Sequence, residues 1–169
     1  DALKVVGGYR DDLIAGEEPE LCVRLRQEKW RIWRLDADMT QHDANIMQFK
    51  QWWKRSVRAG YAFAEGSRIH GAAPELHWVA ESRRAMVWAV IIPAIISIGF
   101  FVHPLLGIGL LLIYPLQILR TTLNSNLPIK KAFLYSFFLV LGKFPEQVGQ
   151  FKFLWNCFRN KRSQIIEYK

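Results

Sequence analysis

The clearest pattern along the chain is an apolar run, residues 85–119, that contains no Asp, Glu, Lys or Arg. As a single helix rising about 1.5 Å per residue it would reach roughly 50 Å, well beyond the ~30 Å hydrocarbon core of a bilayer. His103-Pro104 interrupts the run near its middle. We therefore predict two short or tilted membrane crossings, Ala85–Val102 and Leu105–Leu119, with a re-entrant hairpin as the alternative.

The segment before this run is basic and amphipathic. Its apolar side chains recur at helical spacing, at Ile46, Phe49, Trp53 and Val57. Its cations form a separate stripe at positions i, i+4 and i+8, at Lys50, Lys54 and Arg58. Such a helix can lie in the lipid headgroup layer with its aromatic rings toward the hydrocarbon and its cations among the phosphates.

Further helices are predicted on both sides of the hairpin. We expect Gly60 to end the basic helix, and a second helix, from about Pro74 to Arg84, to lead into the bilayer. Beyond the hairpin, Ala132–Leu141 is apolar but too short to span a bilayer, so we predict interfacial helices there. A polar tail is expected to follow them. The chain thus divides into four parts: 1–43, 44–84, 85–120 and 121–169.

Residues 1–43 have the character of a soluble domain. Gly16-Glu17-Glu18-Pro19-Glu20-Leu21 predicts a helix in which Pro19 takes the first position and Glu18 falls near the N-cap. The helix dipole favours ionised acids at this end, and an ionised carboxylate can accept a proton from a hydroxyl. Acids are also common in the first turn of ordinary helices. Lys29–Leu35 alternates in part between apolar and polar residues, so we predict a strand there.

The charge and the aromatic content narrow the class of partner. The formal net charge is +8 and the isoelectric point is near 9.7, which indicates an anionic partner. Much of the aromatic content lies beside basic residues, which favours a membrane interface over nucleic acid. Cys22 and Cys157 have no metal-ligand spacing and are predicted to be free thiols. Lys and Arg flank the apolar run and are missing from its turn, so both ends are predicted to be cytoplasmic.

Three motifs near the start resemble the closing part of the catalytic domain of family 2 glycosyltransferases. They are Val6-Gly7-Gly8-Tyr9-Arg10, Gly16-Glu17-Glu18-Pro19-Glu20-Leu21 and Arg24-Leu25-Arg26. The resemblance implies an α/β fragment, the end of a GT-A-type nucleotide-sugar transferase domain, followed by a mainly α-helical membrane region with a transmembrane or re-entrant hairpin and interfacial helices. It also implies that Glu18, with Glu17 beside it, is the general base. Glu stands at position 18 where Asp is usual in the family.

The resemblance further implies contacts with the donor diphosphate or the acceptor. The candidates are Gly7, Gly8, Arg10, His42, Gln51, Trp53, Arg55 and Arg58. The run Gln51-Trp52-Trp53-Lys54-Arg55 resembles, in degenerate form, the Gln-x-x-Arg-Trp signature of polysaccharide-synthesising members.

A divalent cation, Mg or Mn, is expected in the full-length enzyme, with its ligands mostly outside this chain. Asp36-Ala37-Asp38 has the spacing of the family's metal motif but follows the acidic helix, whereas the family's motif precedes it. We therefore predict no metal ligands in this chain.

The expected function follows from the resemblance. It is transfer of a sugar, with inversion, from a nucleotide-diphosphate donor to a hydroxyl or polyprenyl-linked acceptor. The reaction would occur at the cytoplasmic face of a bacterial inner membrane, among membrane lipids and without nucleic acid. We expect the chain to be the C-terminal piece of a longer enzyme and to be inactive alone. The alternative is a non-catalytic membrane scaffold or transporter subunit with a basic cytoplasmic face.

Overall fold

In the computed structural model, residues 1–33, 35–37 and 46–160 are described, and every regular element among them is a helix. In chain order these are α1 (Ala2–Val5), α2 (Glu17–Gln27), α3 (Phe49–His70), α4 (Val79–Met86), α5 (Ile92–Val102), α6 (Pro104–Leu111), α7 (Ile113–Leu123), α8 (Ile129–Leu141) and α9 (Lys143–Phe158). A π-helical turn, Val87–Ile91, joins α4 to α5, so that the three form one continuous helix.

The α/β expectation for residues 1–43 is wrong. No residue that the structure describes lies in a β-strand, and within the expected strand Trp30–Trp33 form irregular, exposed chain. The partial alternation of this segment therefore places neither face in a core. A strand also needs a neighbouring strand to complete its backbone hydrogen bonds, and the described residues supply none. The described residues of the first part of the chain are accordingly the helices α1 and α2 with irregular segments between and after them.

Two helices are long and apolar enough to cross a membrane: Val79–Val102, with 24 residues, and Pro104–Leu123, with 20. They would reach roughly 36 Å and 30 Å, which matches a bilayer core. Both exceed the predicted crossings because each helix continues into more polar sequence at its outer end. Only 17% and 11% of their most apolar windows are buried. A helix in a soluble core would be mostly buried, so the low burial of this pair is evidence for association with a membrane.

The irregularities of the two long helices have local causes. The chain reverses at His103, whose backbone is extended (φ −161°, ψ 132°) and whose Nδ1 accepts a hydrogen bond from the amide of Leu105. The π-helical turn ends two residues before Pro93, and the second helix is interrupted at Leu112, three residues before Pro115. Proline lacks an N–H and its ring crowds the carbonyl four residues back, which accounts for both distortions.

Helices α3 and α9 make the most extensive contact between elements in the described part of the chain. The prediction that Gly60 ends the basic helix is wrong, because α3 continues without interruption to His70. Gly60 instead lies where α9 crosses closely: a Cβ there would overlap the backbone of Glu146, and one at Gly149 would overlap the carbonyl oxygen of Val57. The two glycines bring the helix backbones into direct contact.

This crossing gives a test by substitution. We expect Gly149→Ala to lower the free energy of unfolding by about 1–3 kcal/mol, because the added methyl must push α9 away from α3. Denaturant titration of the chain in detergent measures the change. Gly109→Ala in α6 is the matched control, since a Cβ there meets nothing within 4 Å. Equal stability of the two variants would show that the backbones do not touch.

A small core connects this helix pair to the first part of the chain. Ile14, in the loop before α2, packs with Tyr61 of α3 and Phe153 of α9, and the two rings meet edge to face at 5.3 Å. Asn156 donates a hydrogen bond to the hydroxyl of Tyr61. The loop that leads to the acidic helix is therefore fixed on the α3–α9 pair.

The last two helices differ in their surroundings. Helix α8 lies along α7, whereas α9 packs chiefly on α3. Helix α9 has exposed apolar side chains at Phe151, Leu154, Trp155 and Phe158.

Candidate functional site

The acidic helix α2 begins two residues earlier than predicted. Gly16 is its N-cap, with φ 88°, and Glu17 is its first residue. Pro19 therefore occupies the third helical position rather than the first. Proline is tolerated there because the first backbone N–H groups of a helix have no intrahelical partner. Glu17 and Glu18 consequently lie inside the first turn, close to the positive end of the helix dipole.

The two candidate catalytic acids are accessible. The Glu18 side chain is exposed and Glu17 is half-buried. Glu18 forms no hydrogen bond or ion pair with any residue that the structure describes. A free carboxylate at this position can accept a proton from a hydroxyl group brought against it.

The third acid of the turn, Glu20, has a different role that the sequence reasoning missed. Its side chain is 1% exposed. Arg24 donates to it from Nε, at 2.9 Å to each carboxylate oxygen, and from Nη2, at 2.8 Å to Oε2. Nε2 of His70, at the end of α3, lies 2.9 Å from Oε1 and donates to it, since an ionised carboxylate only accepts. Glu20 thus fastens α2 to α3.

Two opposing effects set the pKa of Glu20. Burial raises the pKa, whereas the hydrogen bonds and positive charges of Arg24 and His70 lower it. The second effect is larger, and the pKa of Glu20 is held below its ordinary value. Glu20 therefore stays ionised as the buried anchor of the site.

Arg24 also holds the paired-glycine turn against the acidic helix. Its Nη1 donates to the carbonyl oxygen of Val6, and its Nη2 donates to the carbonyl oxygen of Gly8 at 2.7 Å. The motifs around Gly7-Gly8, Glu17-Glu18 and Arg24 are therefore adjacent in space as well as in sequence.

The backbone conformation of this turn explains why it contains two glycines. Gly7 and Gly8 both have positive φ, 75° and 72°, which side chains rarely adopt. A Cβ on either would meet nothing within 4 Å among the described residues. The surface beside the turn is therefore open on the side that these glycines face.

Trp78 is a further residue of this region. The helix predicted from about Pro74 would include it, but α4 begins only at Val79, and Trp78 is its N-cap. The Trp78 ring covers Gly16 and Gly66, where added side chains would overlap it, and it stacks on His77 at 4.3 Å. Burial lowers the pKa of His77, with the charge of His70 adding to the effect. The ring thus fills the space between the start of α2 and α3.

The candidate arginines are divided between anchoring and free positions. Arg10 forms a two-pronged ion pair with Asp12, at 2.9 and 2.6 Å, and its Nη1 lies 3.9 Å from Glu20. Arg58 donates to the carbonyl oxygen of Ile14 at 2.9 and 2.5 Å and so fixes the loop before α2. Arg55 is exposed and has no hydrogen bond or ion pair within the described part of the chain.

The remaining candidates lie at the start of α3 or outside the described residues. The Gln51 side chain accepts hydrogen bonds from the amides of Met47 and Gln48 at 3.0 Å, which makes it part of a helix cap. Trp53 packs in an aromatic group with Phe49 and Trp52. His42 lies outside the described residues. Arg10, Glu17 and Glu18 are thus gathered around α2, whereas Gln51 and Trp53 are at the other end of α3.

The described residues form no cation site, and the resemblance implies that the ligands of the cation lie mostly outside this chain. Among the described residues, no three His, Cys, Asp or Glu side chains are grouped so as to hold a metal ion. Asp36 is exposed, and Asp38 lies outside the described residues. Cys22 and Cys157 are both free and half-buried.

Comparison with protein-family models, with curated proteins and with solved structures finds no match for this chain.

Proposed function

We propose that this chain is the C-terminal, membrane-seated part of an inverting glycosyltransferase. The observation that supports the proposal most is the double role of Arg24, which binds Glu20 and the carbonyl groups of Val6 and Gly8. It brings an open glycine turn beside a helix that begins with two accessible carboxylates. A transferase needs such a surface, because an acceptor must approach a base closely.

The proposed reaction is a single displacement. The oxygen of the acceptor hydroxyl attacks the anomeric carbon of the donor, while the bond from that carbon to the diphosphate oxygen breaks. The acceptor proton passes to the carboxylate of Glu18, and the bonding electron pair leaves with the nucleoside diphosphate. Attack opposite the leaving group inverts the configuration of the sugar.

For Glu18 to act as the base, its surroundings must exclude water. A carboxylate at a helix N-terminus is stabilised in its ionised form and is a weak base in water. Bound acceptor would exclude water from Glu18 and strengthen its interaction with the proton. Arg55, which has no partner among the described residues, is the candidate to contact the diphosphate. A divalent cation, held by groups outside the described residues, belongs to the same proposal.

The proposed orientation places this surface in the cytoplasm. Arg83 and Arg84 precede the apolar part of the hairpin, and Arg120, Lys130 and Lys131 follow it, whereas its turn at His103 carries no Lys or Arg. By the positive-inside rule both ends are cytoplasmic. Sugar nucleotides are then available on the side where α2 lies.

The test is transfer by the full-length protein in its membrane. Membranes containing it are incubated with radiolabelled sugar nucleotides, one donor at a time, and label is followed into lipid-soluble and polymeric products. We expect one donor to give product and the isolated chain to give none. Transfer by the isolated chain would contradict the assigned need for a separate donor-binding part. Failure of all donors with the intact protein would favour a non-catalytic scaffold or transporter subunit.

A further inference from the structure

Four helices meet around one cavity at the membrane boundary, with α4 and the π-helical turn counted as parts of the same continuous helix. The cavity has a volume of about 240 Å³. It is lined by Arg84 of α4, Trp88 of the π-helical turn, Gln117 of α7, Leu139 and Val140 of α8, and Lys143 of α9. Segments far apart in sequence therefore contribute to a single pocket.

The cavity lies at the depth of lipid headgroups. Arg84 and Gln117 are each between one and two turns from the outer end of their membrane-length helix, Val79–Val102 and Pro104–Leu123 respectively. Both ends are on the side of the hairpin opposite His103. The cavity thus opens where a bilayer changes from hydrocarbon to phosphate.

The polar groups of the cavity are available to an anion. The guanidinium of Arg84 has no hydrogen bond or ion pair with any described residue, and neither does the side-chain amide of Gln117. Nζ of Lys143 contacts Oε2 of Glu146 at 2.7 Å, so one of the two cations is balanced within the protein. Glu81 lies close enough to Glu146 to interact with it electrostatically. Arg84 still leaves a positive charge at the pocket that no described carboxylate contacts.

The other side of the cavity is apolar. Leu139, Val140 and the ring of Trp88 are placed to contact hydrocarbon, and tryptophan is favoured at the membrane interface. A ligand that satisfies both sides carries a negative group and an apolar chain. A soluble anion would leave the apolar wall in contact with water.

We propose that this cavity binds the phosphate of a membrane lipid, with Arg84, Gln117 and Lys143 around the phosphate and the lipid chains against Leu139 and Val140. Arginine and lysine are the side chains that recognise phosphate by charge-assisted hydrogen bonds. The site depends on membrane association and not on sugar transfer, so it stands whether or not the proposed enzyme activity is found.

The test uses the purified chain in detergent. It is mixed with phosphatidylglycerol or phosphatidylcholine, and retained lipid is counted by native mass spectrometry. We expect one phosphatidylglycerol per chain to be retained in preference to phosphatidylcholine. The double variant Arg84→Gln, Lys143→Gln should bind about tenfold less. The control Lys130→Gln, Lys131→Gln removes the same charge from exposed positions of α8 and should retain lipid like the parent.

Further variants distinguish a loss of folding from a loss of lipid binding, and further ligands distinguish one source of the phosphate group from another. Arg84→Lys with Lys143→Arg keeps both charges and should retain lipid, while circular dichroism checks the helix content of every variant. Retention of polyprenyl phosphate alone would keep the lipid-phosphate site and assign it to a phosphomonoester lipid. Displacement of the lipid by soluble glycerol phosphate would overturn the proposal, as would equal retention by the two Gln double variants or of the two phospholipids.

Discussion

Replacing Glu18 with Gln is expected to reduce sugar transfer by the full-length protein about 10²–10⁴-fold, the usual contribution of a general base. The amide has nearly the same size but cannot take the acceptor proton. Because Glu18 forms no hydrogen bond or ion pair with a described residue, the change should leave the fold and donor binding intact. The measurement is the initial rate of transfer with the donor found by screening, together with donor affinity.

Two further variants sharpen this test. Glu28→Gln changes an exposed acid at the other end of α2 and should transfer sugar like the parent. Glu17→Gln decides which of the neighbouring acids is the base, because the half-buried Glu17 should matter less than the exposed Glu18. A Glu18→Gln enzyme with full turnover would remove this residue from the mechanism.

The largest effect on stability is expected at Glu20. Glu20→Ala should lower the free energy of unfolding by about 3–5 kcal/mol, because it leaves the partly buried Arg24 without its ionic partner. His70 loses its contact with α2 in the same change. Denaturant titration in detergent gives the total loss, and hydrogen exchange shows whether it begins in α2. The exposed Glu28→Ala should cost much less, and equal losses would contradict the anchoring role.

The same residue predicts how stability depends on pH. The folded protein holds the pKa of Glu20 below the ordinary glutamate value of about 4.3. The contribution of Glu20 to the free energy of unfolding is therefore fully present once the pH is about one unit above that ordinary value. The contribution is lost as the pH falls through the folded pKa. The parent should therefore lose stability on acidification more steeply than Glu20→Gln. Parallel curves would show that Glu20 is not ionised in the folded state.

Some features could be predicted from the sequence because their causes are local. The apolar run 85–119 has no charges to place in lipid, and His103-Pro104 interrupts it, so the helix pair and its turn follow directly. The predicted strand failed for the opposite reason. A strand depends on a partner, and the alternation within Lys29–Leu35 carries no information about whether one is present.

The anchoring contacts of the site could not be read from local patterns. Glu20 has the same immediate surroundings in sequence as Glu17 and Glu18, and its burial depends on His70, 50 residues away. From the sequence alone, Gly60 suggests the end of a helix. The structure shows that a side chain at this position would overlap the backbone of Glu146, which lies on a different helix. Both errors treated a long-range contact as a local one.

The position of Trp78 has a consequence for how the protein depends on its lipid surroundings. The residue directly precedes the first membrane-length helix, and its ring rests on Gly16, the N-cap of α2. A bilayer of different thickness changes the depth or tilt at which such a helix sits. Because the ring of Trp78 touches Gly16, we expect such a displacement to move the start of α2, and with it Glu17 and Glu18.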